Sequence, residues 1–409
     1  MVWFNRGNSH EDKRDYAKAV ADLDAALKLN PDYTAAYSVR GLCRYHLQQL
    51  DAAIADFDAA LERNPRYVEA LYNRGLVRVK QQKWDQAIAD WSEVVRLAPD
   101  HAEAFNNRGL ARQEKGDYEQ ALADFDAALK IDEEYAEAFN NRGGVHQHQQ
   151  NLVQAIKDYD TALRLRPDYA EAHRNRGTCY AQQGEFKLAL ADFTVAIKLK
   201  PDYAKAYNSR GNVLREQGEI AAALTDFSQA IRLDPQAAQP YGNRGLAFQK
   251  KGDLDRALAD FSKMIELDAT SAVAHNNRGF AYFHKSDVER AIADFTAAIR
   301  LDAKYAEAYN NRGFAYRQQN KLDEALADYT AAIRVQPALT QAHINRAAVL
   351  LKKGDIDKAI ADYSEAIRQN PKHAVAYFSR GTAYQQKGDA ARATSDFEQA
   401  RKLDPKVGQ

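Results

Sequence analysis

Residues 135–168 read YAEAFNNRGGVHQHQQNLVQAIKDYDTALRLRPD, and the following 34 residues, YAEAHRNRGTCYAQQGEFKLALADFTVAIKLKPD, repeat the pattern position by position. The dipeptide Arg142-Gly143 inside this stretch recurs at intervals of 34 from Arg6 to Arg380, with Ala347 taking the glycine's place once. Twelve such units account for 408 of the 409 residues. A chain this long usually divides into several cores, but stacked repeats escape that limit because each unit packs only on its neighbours. The expectation is a single domain, 1–409, with units 1–33, 34–67, 68–101, 102–135, 136–169, 170–203, 204–237, 238–271, 272–305, 306–339, 340–373 and 374–409, and no linker or separate domain between them.

Each unit contains two helical segments. The first, Tyr135 to Gln149, carries Phe139, Gly143 and His146 on one face of a 3.6-residue period. The second, Asp117 to Lys130 in the preceding unit, opens on an Asp with Gln120 three residues on, the spacing of a capping box. Gly116, Gly184, Gly218, Gly252, Gly354 and Gly388 stand between the segments, where a helix needs a left-handed stop. Nine of the ten prolines, from Pro31 to Pro405, close the second segment. The predicted fold class is all-α, with about 24 antiparallel helices.

The Gly7 column, the Ala19 column (alanine in all twelve units), the aromatic column of Phe57, Trp91, Phe125 and Tyr159, and the closing prolines together resemble the tetratricopeptide repeat over all 409 residues. That resemblance implies an α-α superhelix whose first helices line a concave groove. One column departs from it: Arg6 and its eleven counterparts stand where the family usually has an aliphatic residue.

The Arg6 column is arginine in all twelve units, and the Asp22 column is aspartate in all twelve. Asp158 is expected level with Arg142 in its own unit and with Arg176 in the next, so that Arg142, Asp158, Arg176 and Asp192 form part of a structural charge ladder. The matched recurrence of opposite charges favours internal pairing over an arginine rim for ligands. Next to it runs a column of carboxamides: Asn73, Asn107, Asn141, Asn175, Asn243, Asn277, Asn311 and Asn345. No complementary column is evident. One residue along a helix is a rotation of roughly 100°, which turns these amides away from the arginine seam. They either bond a neighbouring helix or grip the N–H and C=O groups of an extended peptide, as the resemblance implies.

Further along the same stripe lie Leu42, Leu76 and Leu110, then Gly144, Thr178 and Asn212, then Leu246, Phe280 and Phe314, with Phe283 one turn beyond Phe280. These are two candidate apolar patches around a polar stretch, unless the side chains fold back into the core. One turn earlier stand Glu69, Glu103, Glu137 and Glu171, either partners of the helix dipole or a surface for basic ligands.

The 57 Lys and Arg cancel the 57 Asp and Glu, which argues against nucleic acid and anionic membrane as partners. No apolar run approaches the roughly 20 residues of a membrane span. His146 and His148 are two residues apart and point to different sides of a helix, so no metal site is expected. His173, His275 and His343 occupy a column otherwise held by Trp3, Tyr37 or Phe105 and read as packing residues. Cys43 and Cys179 sit in a column of small core groups and do not read as nucleophiles. No glycine loop cradles phosphate, so neither an enzyme nor a cofactor is expected. The chaperone-tail clamp of some family members is also missing, since a pattern starting at Asn208, Asn212 and Asn243 fails at Val273 and Asn277.

The expected function is a protein-interaction scaffold that binds an extended peptide or protein partners in the groove through the asparagines and apolar patches. Two alternatives are a structural solenoid that self-associates end to end through the uncapped N-terminal helix, and the recognition arm of a larger transferase-like protein. Polar Thr394 and Arg401, where other units place aliphatic groups, read as a C-terminal cap. Two unpaired cysteines and the absence of a leader in this chain point to the cytoplasm; a secreted or periplasmic site stays open if the N-terminus is truncated.

Overall fold

A computed structural model of the chain describes residues 1–408, which form 24 α-helices, from α1 (Val2–Asp12) to α24 (Ala390–Leu403), and no strand. Odd-numbered helices are the first of each pair and even-numbered ones the second. The chain divides into two compact units, Met1–Pro201 and Asp202–Gln409.

The pair α9 (Ala136–His148) and α10 (Leu152–Leu165) illustrates the local rules. Glu137 lies in the first turn of α9 and His146 and His148 in its last, matching the helix dipole at both ends. Asn151 caps α10 by accepting from the Gln154 N–H. The two helices approach closely because Gly143 has no side chain: a Cβ there would lie 2.9 Å from the Tyr159 ring. The aromatic column of the second helices fills the seam, and Phe57, Phe125 and Tyr159 are fully buried.

The six predicted stop glycines all adopt φ between +80° and +86°. The other six pairs make the same left-handed turn without glycine, at Arg14, Gln48, Gln82, Gln150, Ser286 and Asn320, with φ from 58° to 63°. Stacking of the two helices dictates the turn, and the residue there accepts its cost. The capping box expected at Asp117 and Gln120 does not form, as the Asp117 side chain accepts no cap bond. Side chains do cap second helices at Asp15, Asp253, Asp287 and Asp389. Pro240, the one proline that closes no helix, lies in the first turn of α15 (Ala238–Lys250), where its missing N–H would have no helical partner.

The Arg–Asp pair forms in every unit. Arg142 donates from Nε and Nη2 to Asp158 at 3.0 and 2.7 Å, and Arg176 to Asp192 at 2.8 and 2.7 Å. Asp158 and Asp192 are buried. The link to the preceding unit differs from the expected one: Arg176 Nη1 reaches Asp160 at 2.7 Å, not Asp158. Residues two apart on a helix are turned by roughly 200°, so Asp158 faces its own pair and Asp160 the next. Within residues 1–201 this link uses Asp24, Asp58, Ser92, Asp126 and Asp160. Within residues 202–408 it uses the hydroxyls of Ser228, Ser262, Thr296, Thr330 and Ser364. One unit is therefore stitched mainly by ions and the other by neutral groups.

Urea unfolding reads out both the buried pair and the glycine-free turn. Arg176→Met is expected to cost about 3 kcal/mol, the low end for breaking a buried pair because His173 still bonds Asp192; a loss below about 1 kcal/mol would mean that solvent screens the pair. Gln150→Gly is expected to stabilise by about 0.5 to 1 kcal/mol through relief of the left-handed backbone, less the entropy that glycine adds to the unfolded chain.

Candidate functional site

The carboxamide column lies on the first helices and is tied from one unit to the next. Asn141 Nδ2 donates to Asn106 Oδ1 at 2.9 Å and Asn175 to Asn140 at 3.0 Å. Asn243 donates to Asn208, Asn311 to Asn276 and Asn345 to Asn310, at 2.9 to 3.0 Å. Asn107 uses the Tyr72 hydroxyl at 2.9 Å. A complementary column therefore exists, contrary to the sequence reading: it is the residue just before each ladder asparagine, one unit back. The Asn-Asn dipeptides at 106–107, 140–141, 276–277 and 310–311 were its visible signal. Each bond uses one of the two Nδ2 hydrogens and fixes the rotamer, leaving the second hydrogen for another acceptor.

Asn73 and Asn277 make no such bond. The position that would receive Asn277 is Gly242, and a Cβ there would come within 2.6 Å of Met264 Sδ. Met264 stands in a column of alanines and one valine, including Ala230 and Ala298, and its longer side chain occupies the space that a side chain at 242 would take, where the glycine offers no acceptor.

The apolar positions are half-buried against the core, and three of them also border a pocket. Leu42 and Leu76 are half-buried against the core around Phe57 and Trp91, Leu110 against that of Phe125, and Leu246 against that of Phe261. Phe280 and Phe283 on α17 (Ala272–His284) are likewise half-buried, against the core of Phe295, and together with Phe314 on α19 (Ala306–Gln318) they border an open pocket of about 310 Å³. Buried Phe295 forms part of its wall, and Asn310, Asn311, Gln341 and Asn345 supply its polar lining. The Phe283 and Phe314 rings meet edge to face with centroids 5.3 Å apart. In the polar stretch, Gly144 leaves space beside the Tyr159 hydroxyl, and Thr178 bonds back to the Arg174 carbonyl at 2.9 Å.

All four acids of the stripe lie in first helical turns and have local partners. Glu69 accepts from the Tyr67 hydroxyl at 2.9 Å, and Glu103 lies 3.1 Å from the His101 ring. Glu137 accepts from Arg166 at 2.6 Å and Glu171 from Lys200 at 3.1 Å. Cys43 and Cys179 are free and buried, and burial pushes both thiols up to about 12. Among the described residues no group of three or more His, Cys, Asp or Glu is arranged to hold a metal, and no helix is long and apolar enough to cross a membrane.

Family models described as tetratricopeptide repeat match residues 4–68, 47–78, 72–136, 134–202, 238–271, 306–339 and 374–407, and one described as TPR repeat matches 211–252, 281–320 and 348–388. The chain is a tetratricopeptide-repeat protein. The solved Cut9–Hcn1 hetero-tetramer of the APC/C contains a similar solenoid: TM-score 0.54, 17% identity, 93% of this chain and 89% of that one covered. YrrB, described as a TPR protein with an unusual peptide-binding site, is 25% identical over 44% of this chain and 93% of its own, with a TM-score of 0.37. MamA is 28% identical over 40% of this chain and 95% of its own, also at 0.37. No curated protein matches the sequence.

Within this repeat fold, three histidines do more than pack. His173 Nδ1 lies 2.9 Å from Asp192 and Nε2 lies 3.1 Å from the Pro167 carbonyl. His275 reaches Asp294 at 3.1 Å. Buried His343 stands between Asp362 and the Pro337 carbonyl, two acceptors that call for a hydrogen on each ring nitrogen. The bond to Asp362 holds the His343 pKa above its ordinary value, against burial and the nearby Arg346. A raised folded pKa stabilises the native state below the unfolded histidine value, and that contribution is lost as pH rises through the folded one. The stability advantage of wild type over His343→Tyr, a residue other units carry in this column, should therefore shrink between pH 6 and pH 8 in urea titrations. An advantage that is flat or grows would contradict the pair.

Proposed function

We propose that the protein is a binding scaffold that holds an extended peptide, or an extended segment of a partner protein, along a groove lined by the first helices. The observation that carries this reading is the pocket bordered by Phe280, Phe283 and Phe314 together with the ladder amides Asn311 and Asn345. A row of rotamer-fixed carboxamides beside an apolar hollow suits a ligand whose backbone is gripped without regard to sequence and whose side chain is chosen by the aromatics. The half-buried leucines contribute less to selectivity, and the neutralised Glu137 and Glu171 carry no strong preference for basic ligands. Two buried, unpaired thiols support a reducing compartment such as the cytoplasm.

Partners captured with the intact chain and identified by mass spectrometry supply the ligands for titration calorimetry. Phe280→Ala is expected to weaken a cognate peptide roughly 30-fold or more, as truncation of a buried anchor commonly costs about 2 kcal/mol. Asn277→Ala combined with Asn311→Ala is expected to weaken all groove ligands to similar extents, with thermal melts separating the stability share of the Asn311–Asn276 bond. Unchanged binding by the double variant would assign the asparagines a purely structural role and move recognition to another surface.

A further inference from the structure

Arg317 lies one turn beyond Phe314 on α19, and its guanidinium carbon sits 4.6 Å from the centre of the Phe314 ring. The ladder arginines all have carboxylate partners, whereas Arg317 makes no ion pair among the described residues. The equivalent residue in the fifth repeat, Gln147, accepts a bond from the Tyr159 hydroxyl at 3.1 Å. Arg317 does not take up that structural duty, and the corresponding buried Tyr329 hydroxyl has no partner. The cation is thus held over a ring that lines the pocket.

Basic residues take the same place on the neighbouring first helices. His284 and Lys352 occupy the last turns of α17 and α21 (Thr340–Lys352), as Arg317 does in α19. His284 stacks edge-on against Phe280 with centroids 4.4 Å apart, and Lys352 reaches only the neutral Asn320. The helix dipole accounts for cations in last turns, but not for an arginine stacked on a pocket wall without a carboxylate. The ladder amides Asn311 and Asn345 lie in the pocket lining beside Phe314.

We propose that this pocket binds the aromatic side chain of an acidic extended peptide, with Arg317 taking a carboxylate near that side chain and Asn311 its backbone. The inference rests on the groove reading above and adds to it a charge preference. Stacked on Phe314, the guanidinium is partly desolvated and preorganised, so a charge-assisted bond to carboxylate is worth more than one to a neutral amide.

The test uses the full chain and fluorescein-labelled peptides Ala-Ser-X-X-Phe-X-X-Ser-Ala, with X as Glu, Gln or Lys, plus the Glu peptide with Phe replaced by Ala, all read by fluorescence anisotropy. The Glu peptide should bind roughly 10-fold tighter than the Gln peptide, the Lys peptide weakest, and loss of Phe should cost roughly 30-fold. Arg317→Gln should bring the Glu and Gln peptides to similar affinity, chiefly by weakening the Glu peptide, while circular dichroism verifies the fold. Equal binding of Glu and Gln peptides by the wild type, or an acid preference that survives Arg317→Gln, overturns the inference. If in that case Phe280→Ala still weakens both peptides, the groove reading stands without its charge preference. If no peptide binds, or Phe280→Ala changes nothing, both fall.

Discussion

A guanidinium and a carboxylate sixteen residues apart meet between the helices of every pair, from Arg6 with Asp22 to Arg380 with Asp396. The aspartates are buried, and a buried carboxylate without its partner is costly, so the second helix has one acceptable height against the first. The pair is bidentate, which fixes angle as well as distance. Nη1, pointing the other way, reaches the preceding unit in most repeats, so the same side chain sets both the pair and the stack. Arginine in place of the usual aliphatic residue exchanges some hydrophobic contact for this registry, and aromatic rings recover part of the contact, as where Arg142 lies over Phe139.

A fixed register has consequences on the exposed side of the first helices. Within each compact unit residues 35 apart meet at several junctions, and one asparagine can bond another from repeat to repeat. Where the register holds but the partner is absent, the amide is released. Met264, in a column of small residues, fills the space beside Gly242, and Gly242 leaves Asn277 without the acceptor other repeats provide. A packing decision inside the core thereby sets the hydrogen-bonding capacity of a half-buried residue one turn before Phe280.

The helices, their pairing and the repeat length were legible because each rests on short-range rules repeated twelve times: apolar periodicity, closing prolines and stop glycines. The Arg–Asp pairing was legible for a related reason, as two invariant columns of opposite charge, set level on paired helices, neutralise each other wherever those helices pack. The left-handed turns at Gln150 and Ser286 were not, since nothing local favours them and only helix stacking imposes them. The histidine bonds to the ladder aspartates were likewise hidden by the aromatic character of their column.

The chain alone thus decided fold class, repeat register and the side of the first helices on which the asparagines stand, because these depend on periodicities read within one unit. Only the tertiary structure decided which asparagine is tied and which is free, which of the half-buried apolar side chains border a pocket, and whether an arginine has a carboxylate. Those outcomes depend on the exact side chain met one unit away: Asn276 or Gly242, Gln147 or Arg317. Column averages erase that information, and three-dimensional packing restores it.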